Sequence, residues 1–186
     1  MDEKLIETFV SGETVFDGKL LHVHRDVVAL PDGKTANREY IRHQGAAAVV
    51  PLTAEGDVIA VRQYRYPLGR VTLEIPAGKR DPGEDPAVTA ARELSEETGC
   101  EPGELIELGT LCPSVAYTDE VIWMYLAEGL HFGESHVDDD EFVDVVRIPL
   151  DDFVAMVMDG TIADSKTQAA ILKTKFLLEN REKGEA

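Results

Sequence analysis

The sequence is poor in basic residues, in cysteine and in long apolar runs. Only 18 lysines and arginines stand against 36 aspartates and glutamates, a net charge of −18 that repels nucleic-acid backbones and anionic membranes. The two cysteines, Cys100 and Cys112, are too few for a disulfide framework, so we expect both to be reduced and buried in the core. The longest apolar run, residues 46–52, is far shorter than the ~20 residues that cross a bilayer. Because no secretory signal is visible either, we expect a soluble, cytoplasmic protein that binds neither nucleic acid nor membrane.

The length and the order of the predicted elements indicate one α/β core with a small appendage. A chain of 186 residues with 44% hydrophobic and 29% charged residues is typical of a single globular domain. Short strands separated by turns predict an N-terminal antiparallel β arm over residues 1–45, and a mixed α/β domain follows over residues 46–186. In that domain we expect strands at residues 46–52, 58–66, 72–76, 105–111, 121–127 and 142–148, and helices at residues 85–98, 150–158 and 165–181.

The clearest predicted helix carries a stripe of carboxylates. Asp85 stands where an N-cap is expected, and Gly99 stands just past the last turn. On a helical wheel, Glu93, Glu96 and Glu97 lie within about 100° of one another. Like charges at this spacing destabilise a helix by about 0.2–0.5 kcal/mol per pair. The stripe is therefore either solvated or neutralised by a bound cation.

The loop before this helix completes a spaced pattern. From Gly78 to Cys100 the sequence has the form G-x5-E-x7-R-E-L-x-E-E-x-G-C. This pattern resembles the Nudix box, and Cys100 is the one departure, because the family usually has an aliphatic residue there. The resemblance implies a hydrolase with the Nudix α/β/α sandwich, a mixed central sheet covered by helices.

The resemblance also implies a magnesium site on the helix. Mg²⁺ prefers hard oxygen ligands in near-octahedral geometry, and Mn²⁺ is an alternative. The residues implied as metal ligands or their support are Ala77 through its backbone carbonyl, Glu84, Glu93, Glu96 and Glu97. Arg92 is expected to orient a carboxylate, and we group Arg92 and Glu96 among the catalytic residues.

The resemblance extends beyond the box to the ADP-ribose pyrophosphatase subgroup. Residues 42–49, 61–67 and 74–78 look like the segments that precede the box in that subgroup. This implies hydrolysis of the pyrophosphate bond of ADP-ribose or a related nucleoside diphosphate sugar, giving a nucleoside monophosphate and a sugar phosphate. The candidate substrate-binding residues are Arg65, which would contact the diphosphate, together with Arg42, Tyr40 and Tyr117.

One position departs from the subgroup pattern. A proline usually stands sixteen residues after the last glycine of the box, and Val115 occupies that position here. Other nucleotide sugars, such as ADP-glucose and GDP-mannose, therefore stay open as substrates. Nucleoside triphosphates, dinucleoside polyphosphates and ligand sensing without hydrolysis are further alternatives. The complete set of box carboxylates disfavours the sensor.

An acidic segment downstream of the box supplies the candidate general base. In residues 138–144, Glu141 is the carboxylate that we expect to take a proton from the attacking water. Asp139 and Asp140 stay open as alternatives for the same role.

The resemblance finally implies a homodimer. In the subgroup the N-terminal arm is commonly exchanged between two subunits, so that each arm helps to build the base pocket of the other chain. Phe16 and Tyr40 are the aromatic candidates for stacking on the base.

Overall fold

The N-terminal strands form a three-stranded antiparallel sheet. In the computed structural model, which describes residues 2–133 and 142–184, these strands are β1 (Thr8–Asp17), β2 (His22–Ala29) and β3 (Thr35–Arg42), in that order across the sheet. Every residue of β1 is exposed. Because β1 has no buried face, it lacks the alternation of apolar and polar residues by which a half-buried strand is recognised in a sequence.

The strands after the arm form a mixed sheet, an antiparallel sheet and a short strand pair. Their bounds are β4 (Ala46–Pro51), β5 (Asp57–Arg65), β6 (Arg70–Glu74), β7 (Ala77–Lys79), β8 (Cys100–Glu101), β9 (Glu104–Leu111), β10 (Ile122–Glu128), β11 (His131–Phe132) and β12 (Val143–Pro149). The mixed sheet has the order β7-β4-β10-β9, with β4 and β10 parallel. The antiparallel sheet has the order β12-β5-β6, and β11 pairs with β8.

The helices lie where the sequence predicted them. They are α1 (Pro86–Thr98), α2 (Leu150–Met158) and α3 (Ser165–Lys183). Asp85 caps α1 by accepting a hydrogen bond of 2.8 Å from the Ala87 N–H, and Gly99 ends it in the left-handed conformation with φ of 70°. Within residues 2–133 and 142–184, no helix combines the length and the apolar character needed to cross a membrane.

Strand β4 separates two apolar layers, which gives the predicted α/β/α arrangement. All of its residues are buried, and successive side chains point to opposite faces of the sheet. Ala48 and Val50 pack in a cluster that includes residues of α2 and α3, whereas Ala47 and Val49 pack in a cluster with α1. The continuous apolar run of β4 therefore reflects a strand buried on both faces.

The two cysteines differ in their surroundings. Both are free, but Cys100 is buried and Cys112 is exposed, so the prediction that Cys112 belongs to the core is wrong. Cys112 follows the last residue of β9. The chain leaves the sheet at this point, and side chains no longer alternate into the interior.

Candidate active site

A cavity of about 810 Å³ lies where α1, β7, the ends of β5 and β6 and the first turn of α3 meet. We call it the acidic cavity, because the aspartates and glutamates that line it outnumber the lysines and arginines. The glutamates that line it are Glu74, Glu93, Glu96, Glu97 and Glu120. The lysines and arginines that line it are Arg65, Lys79, Arg92 and Lys166. Of the residues predicted from the sequence, it brings together Arg65, Ala77, Arg92, Glu93, Glu96 and Glu97.

The three carboxylates of α1 enter the cavity at different depths. Glu97 is only 6% exposed, and the side chains of Glu93 and Glu96 are 13% and 43% exposed. A Cβ atom on Gly78 would lie 2.0 Å from the Glu93 carboxylate. The absence of a side chain at Gly78 therefore lets the Glu93 carboxylate lie directly against β7.

The donor atoms in this part of the cavity suit a hard divalent cation. They are carboxylate oxygens, and Ala77, whose carbonyl is the predicted backbone ligand, lines the same cavity. Mg²⁺ and Mn²⁺ both take oxygen ligands. In the part of the chain that the structure describes, no three histidine, cysteine, aspartate or glutamate side chains already surround a point where a metal ion would fit. Glu93 and Glu96 accept hydrogen bonds from Arg92 in this arrangement. A bound cation would therefore share these two carboxylates with Arg92 or replace its contacts.

Arg92 connects the carboxylates of α1 to the preceding loop. Its Nη1 donates to Glu93 at 2.8 Å and to Glu96 at 2.9 Å. Its Nε and Nη2 donate to the two oxygens of Glu84 at 3.2 and 3.1 Å, and Nη2 also donates to the Lys79 carbonyl at 3.1 Å. The hydrogen bonds to Glu84, and the charges of Glu93 and Glu96, raise the pKa of Arg92. Arg92 thus contacts three carboxylates, and its orienting role stays a prediction.

Glu84 lies behind Arg92 and supports it. Its Oε2 also accepts hydrogen bonds from the Thr89 hydroxyl at 2.7 Å and from the Asp81 N–H at 3.1 Å. The hydrogen bonds from Arg92, Thr89 and Asp81 lower the pKa of Glu84 to about 2. Glu84 is therefore ionised at neutral pH, and its described contacts are those of a support for Arg92. Its direct role at a metal ion stays a prediction.

Arg65 belongs to a charged cluster whose other members, Glu74 and Lys166, the sequence did not predict. Arg65 donates from Nε and Nη2 to the two oxygens of Glu74 at 2.8 and 2.7 Å, and the Lys166 ammonium contacts the same carboxylate. Glu74 is 3% exposed and Lys166 is 8% exposed. Burial opposes ionisation of Glu74, but the two cations and the Thr72 hydroxyl lower its pKa to about 2. One feature of the sequence indicates Glu74, namely a glutamate within a short strand that leads into the box, whereas nothing local indicates Lys166.

Arg42, Tyr40 and Tyr117 do not line the acidic cavity. Arg42 pairs with Asp119 at 2.8 Å and lies 4.9 Å from the centre of the Tyr40 ring. The Tyr40 hydroxyl donates to Asp26 at 2.9 Å, and Tyr40 and Arg42 line a separate cavity on the arm. The side chain of Tyr117 is exposed. The substrate-binding roles of Arg42, Tyr40 and Tyr117 stay predictions.

The candidate general base lies outside the described residues. Glu141 and its alternatives, Asp139 and Asp140, fall within residues 134–141. Their catalytic assignment stays a prediction from the sequence.

Comparisons with known proteins match both parts of the chain. Residues 42–169 match the model of the NUDIX domain, and residues 7–41 match the model of the nucleoside diphosphate sugar hydrolase N-terminal domain. A methanol dehydrogenase activator of Bacillus methanolicus is 43% identical over 172 residues, covering 91% of each chain. An ADP-ribose pyrophosphatase of Bacillus subtilis (strain 168) is 40% identical over 171 residues, covering 91% of this chain and 92% of that protein.

A solved structure supports the fold. The crystal structure of an ADP compounds hydrolase superposes with a TM-score of 0.82 over 97% of both chains, at 24% sequence identity. At this identity the likeness shows the fold alone. The NUDIX domain match and the two relatives, which are 43% and 40% identical over 91% of this chain, extend over the box as well. The chain therefore belongs to the Nudix hydrolase family, and its Nudix domain follows a nucleoside diphosphate sugar hydrolase N-terminal domain.

Proposed function

We propose that this enzyme hydrolyses the pyrophosphate bond of ADP-ribose or a related nucleoside diphosphate sugar, with Mg²⁺ as cofactor. The observation that carries the proposal is the acidic cavity itself, in which the three carboxylates of α1 and Arg65 line one space. The negative charge of a diphosphate must be neutralised where it binds. Two groups would supply the positive charge, namely a cation held by the carboxylates and the guanidinium of Arg65.

The cation would be held by the carbonyl of Ala77 and by the carboxylates of Glu93, Glu96 and Glu97. When bound, it would neutralise phosphoryl charge and activate water. Arg65 binds the diphosphate through a planar guanidinium that matches phosphate oxygens. Glu74 uses two of the five N–H donors of Arg65. The remaining donors are the ones assigned to substrate.

Arg92 and Glu141 complete the proposed mechanism. Arg92 restricts the rotation of the carboxylates that it contacts, so that their oxygens keep a defined direction. Glu141 is proposed to accept the proton of the attacking water as the bond to phosphorus forms. The products are AMP and ribose 5-phosphate when ADP-ribose is the substrate.

We also propose that the arm formed by residues 1–45 joins two chains in a homodimer. Strand β1 is a ten-residue edge strand that is exposed along its whole length, and exposed edges of this length are usually covered in soluble proteins. Phe9 and Phe16 are 63% and 57% exposed. A second copy of the arm would bury these rings and could bring Tyr40 of one chain toward the cavity of the other.

The substrate is tested by product analysis. The purified protein would be incubated with Mg²⁺ and, separately, ADP-ribose, ADP-glucose, GDP-mannose, UDP-glucose, diadenosine polyphosphates and nucleoside triphosphates, and the products separated by chromatography. We expect preferred release of AMP from ADP-ribose. Preference for another nucleotide sugar would instead assign specificity to the loop around Val115, which is 82% exposed. Turnover of none of these compounds would contradict the proposed function.

A further inference from the structure

Glu74 is a buried carboxylate that stands between two cations. It ends β6 in the wall of the acidic cavity, and its side chain is 4% exposed. Each of its oxygens accepts one hydrogen bond from Arg65, and the second oxygen also contacts the ammonium of Lys166. The Thr72 hydroxyl donates to the first oxygen at 2.6 Å. A buried charge with this many partners holds its neighbours in one geometry, because any rearrangement leaves a charge unpaired.

Arg65 lines the same cavity as the carboxylates of Asp164 and Glu97. The hydrogen bonds to Glu74 raise the pKa of Arg65 against the effect of burial, and the charges of Asp164 and Glu97 also contribute to the rise. Arg65 therefore lies within the electrostatic reach of a carboxylate in the proposed metal site. Asp164 already pairs with Lys166 and Thr167. If Arg65 were not held by Glu74, attraction would therefore draw its flexible side chain toward the carboxylates of α1.

Lys166 connects this pair to the first turn of α3. Its ammonium also contacts the Asp164 carboxylate at 3.0 Å, and the N–H and hydroxyl of Thr167 donate to the same oxygen of Asp164 at 2.9 and 2.5 Å. The Thr167 hydroxyl oxygen in turn accepts a hydrogen bond of 3.0 Å from the Ile75 N–H, in the residue after Glu74. The start of α3 is thereby joined to the segment that leads into the box.

We propose that Glu74 and Lys166 are positioning residues, which hold the Arg65 guanidinium on the cavity wall and keep it away from the carboxylates of α1. Glu74 makes the direct contacts with Arg65. Lys166 supplies the second positive charge that the buried Glu74 carboxylate requires when Arg65 is shared with a substrate. The inference rests on the proposed function, in which Arg65 binds the diphosphate.

The proposal predicts that Glu74 acts through Arg65, which a double-mutant cycle measures. Steady-state kinetics with ADP-ribose and Mg²⁺ would compare Glu74→Gln, Arg65→Met and the double variant. We expect Glu74→Gln to raise KM about tenfold, the size typical of hydrogen bonds to a charged group, with kcat changed by less than about threefold. In the Arg65→Met background, the second substitution should leave KM unchanged. Independent, multiplicative effects of the two substitutions would overturn the proposal.

Mn²⁺ binding provides a readout that does not depend on turnover. Free Mn²⁺ would be followed by electron paramagnetic resonance in the same variants. We expect weaker Mn²⁺ binding in Glu74→Gln, because the released Arg65 competes for the carboxylates of α1, and recovery of the wild-type affinity in the double variant. Equal Mn²⁺ affinity in the wild type and Glu74→Gln would contradict the inference even if nucleotide sugars are hydrolysed. Absence of any nucleotide-sugar turnover by the wild type would contradict the proposed function, and the Mn²⁺ measurement would still decide this inference.

Conservative and control variants separate positioning from stability. Lys166→Arg retains the charge and should keep KM within about threefold of wild type, whereas Lys166→Met should raise KM in the same direction as Glu74→Gln. Glu128→Gln removes a carboxylate that pairs with Arg181 at 2.9 Å on another part of the protein. Wild-type kinetics are expected for that control. An equal rise of KM in Lys166→Arg and Lys166→Met would contradict the proposed role of the Lys166 charge.

Discussion

Replacement of Glu74 by glutamine should change the pH dependence of stability in a predictable way. The contacts with Arg65 and Lys166 prevail over burial and lower the pKa of Glu74 from 4.5 to about 2. Each pKa unit corresponds to about 1.4 kcal/mol, so this carboxylate contributes on the order of 3 kcal/mol to the free energy of unfolding at neutral pH. Because the folded-state pKa is the lower one, the contribution is complete above about pH 5 and is lost as the pH falls toward 2.

The assay compares urea unfolding of the wild type and Glu74→Gln at a series of pH values. The fluorescence of Trp123, the single tryptophan, reports the transition, and one protein concentration is used throughout because a dimer would make stability concentration-dependent. We expect the stability difference between the two proteins to be about 3 kcal/mol near pH 7 and to shrink below about pH 4.5. The more exposed pair tested by Glu128→Gln should contribute less than about 1 kcal/mol at any pH. A stability difference for Glu74→Gln that stays constant from about pH 7 to 3 would show that folding does not lower the pKa of Glu74.

Three further variants test other parts of the structure. Arg92→Lys retains the charge but loses the planar guanidinium that contacts several carboxylates at once. The Mg²⁺ concentration for half-maximal activity should therefore rise by about tenfold to 100-fold. An unchanged Mg²⁺ titration would contradict the role of Arg92. Gly78→Ala places a Cβ atom 2.0 Å from the Glu93 carboxylate. The displaced carboxylate should hold the metal ion less well, so kcat should fall at least tenfold. The control Gly133→Ala, whose Cβ atom would lie 3.4 Å from its nearest neighbour, should retain wild-type kinetics. Val10→Asp on β1 should halve the mass measured by light scattering. The control Val88→Asp on α1 should leave the mass unchanged, although the two valines are almost equally exposed (54% and 56%). A dimer that survives Val10→Asp would contradict the proposed interface.

Features that depend on local sequence could be predicted, and α1 is the clearest case. Its capping residue Asp85, its terminating Gly99 and its carboxylate stripe are all properties of a short stretch of chain. The mixed sheet also follows from local pattern, because the uninterrupted apolar residues of β4 are typical of a strand buried on both faces.

Features that depend on distant contacts could not be predicted in the same way. Glu74 and Lys166 are separated by 92 positions, and neither residue type is usually buried unless paired. Their pairing becomes visible only when the first turn of α3 lies beside β6. The placement of Tyr40 likewise depends on where the arm lies, which local periodicity does not describe.

In the proposed function, the carboxylates of α1 support metal-dependent cleavage of a nucleotide sugar. The most direct test is AMP release from ADP-ribose as a function of Mg²⁺ concentration for the wild type, Glu97→Gln and the control Glu101→Gln, which alters an exposed residue of β8. We expect Mg²⁺-dependent release of AMP by the wild type and the control, and a large loss in Glu97→Gln. Wild-type turnover by Glu97→Gln at saturating Mg²⁺ would contradict the proposed role of Glu97.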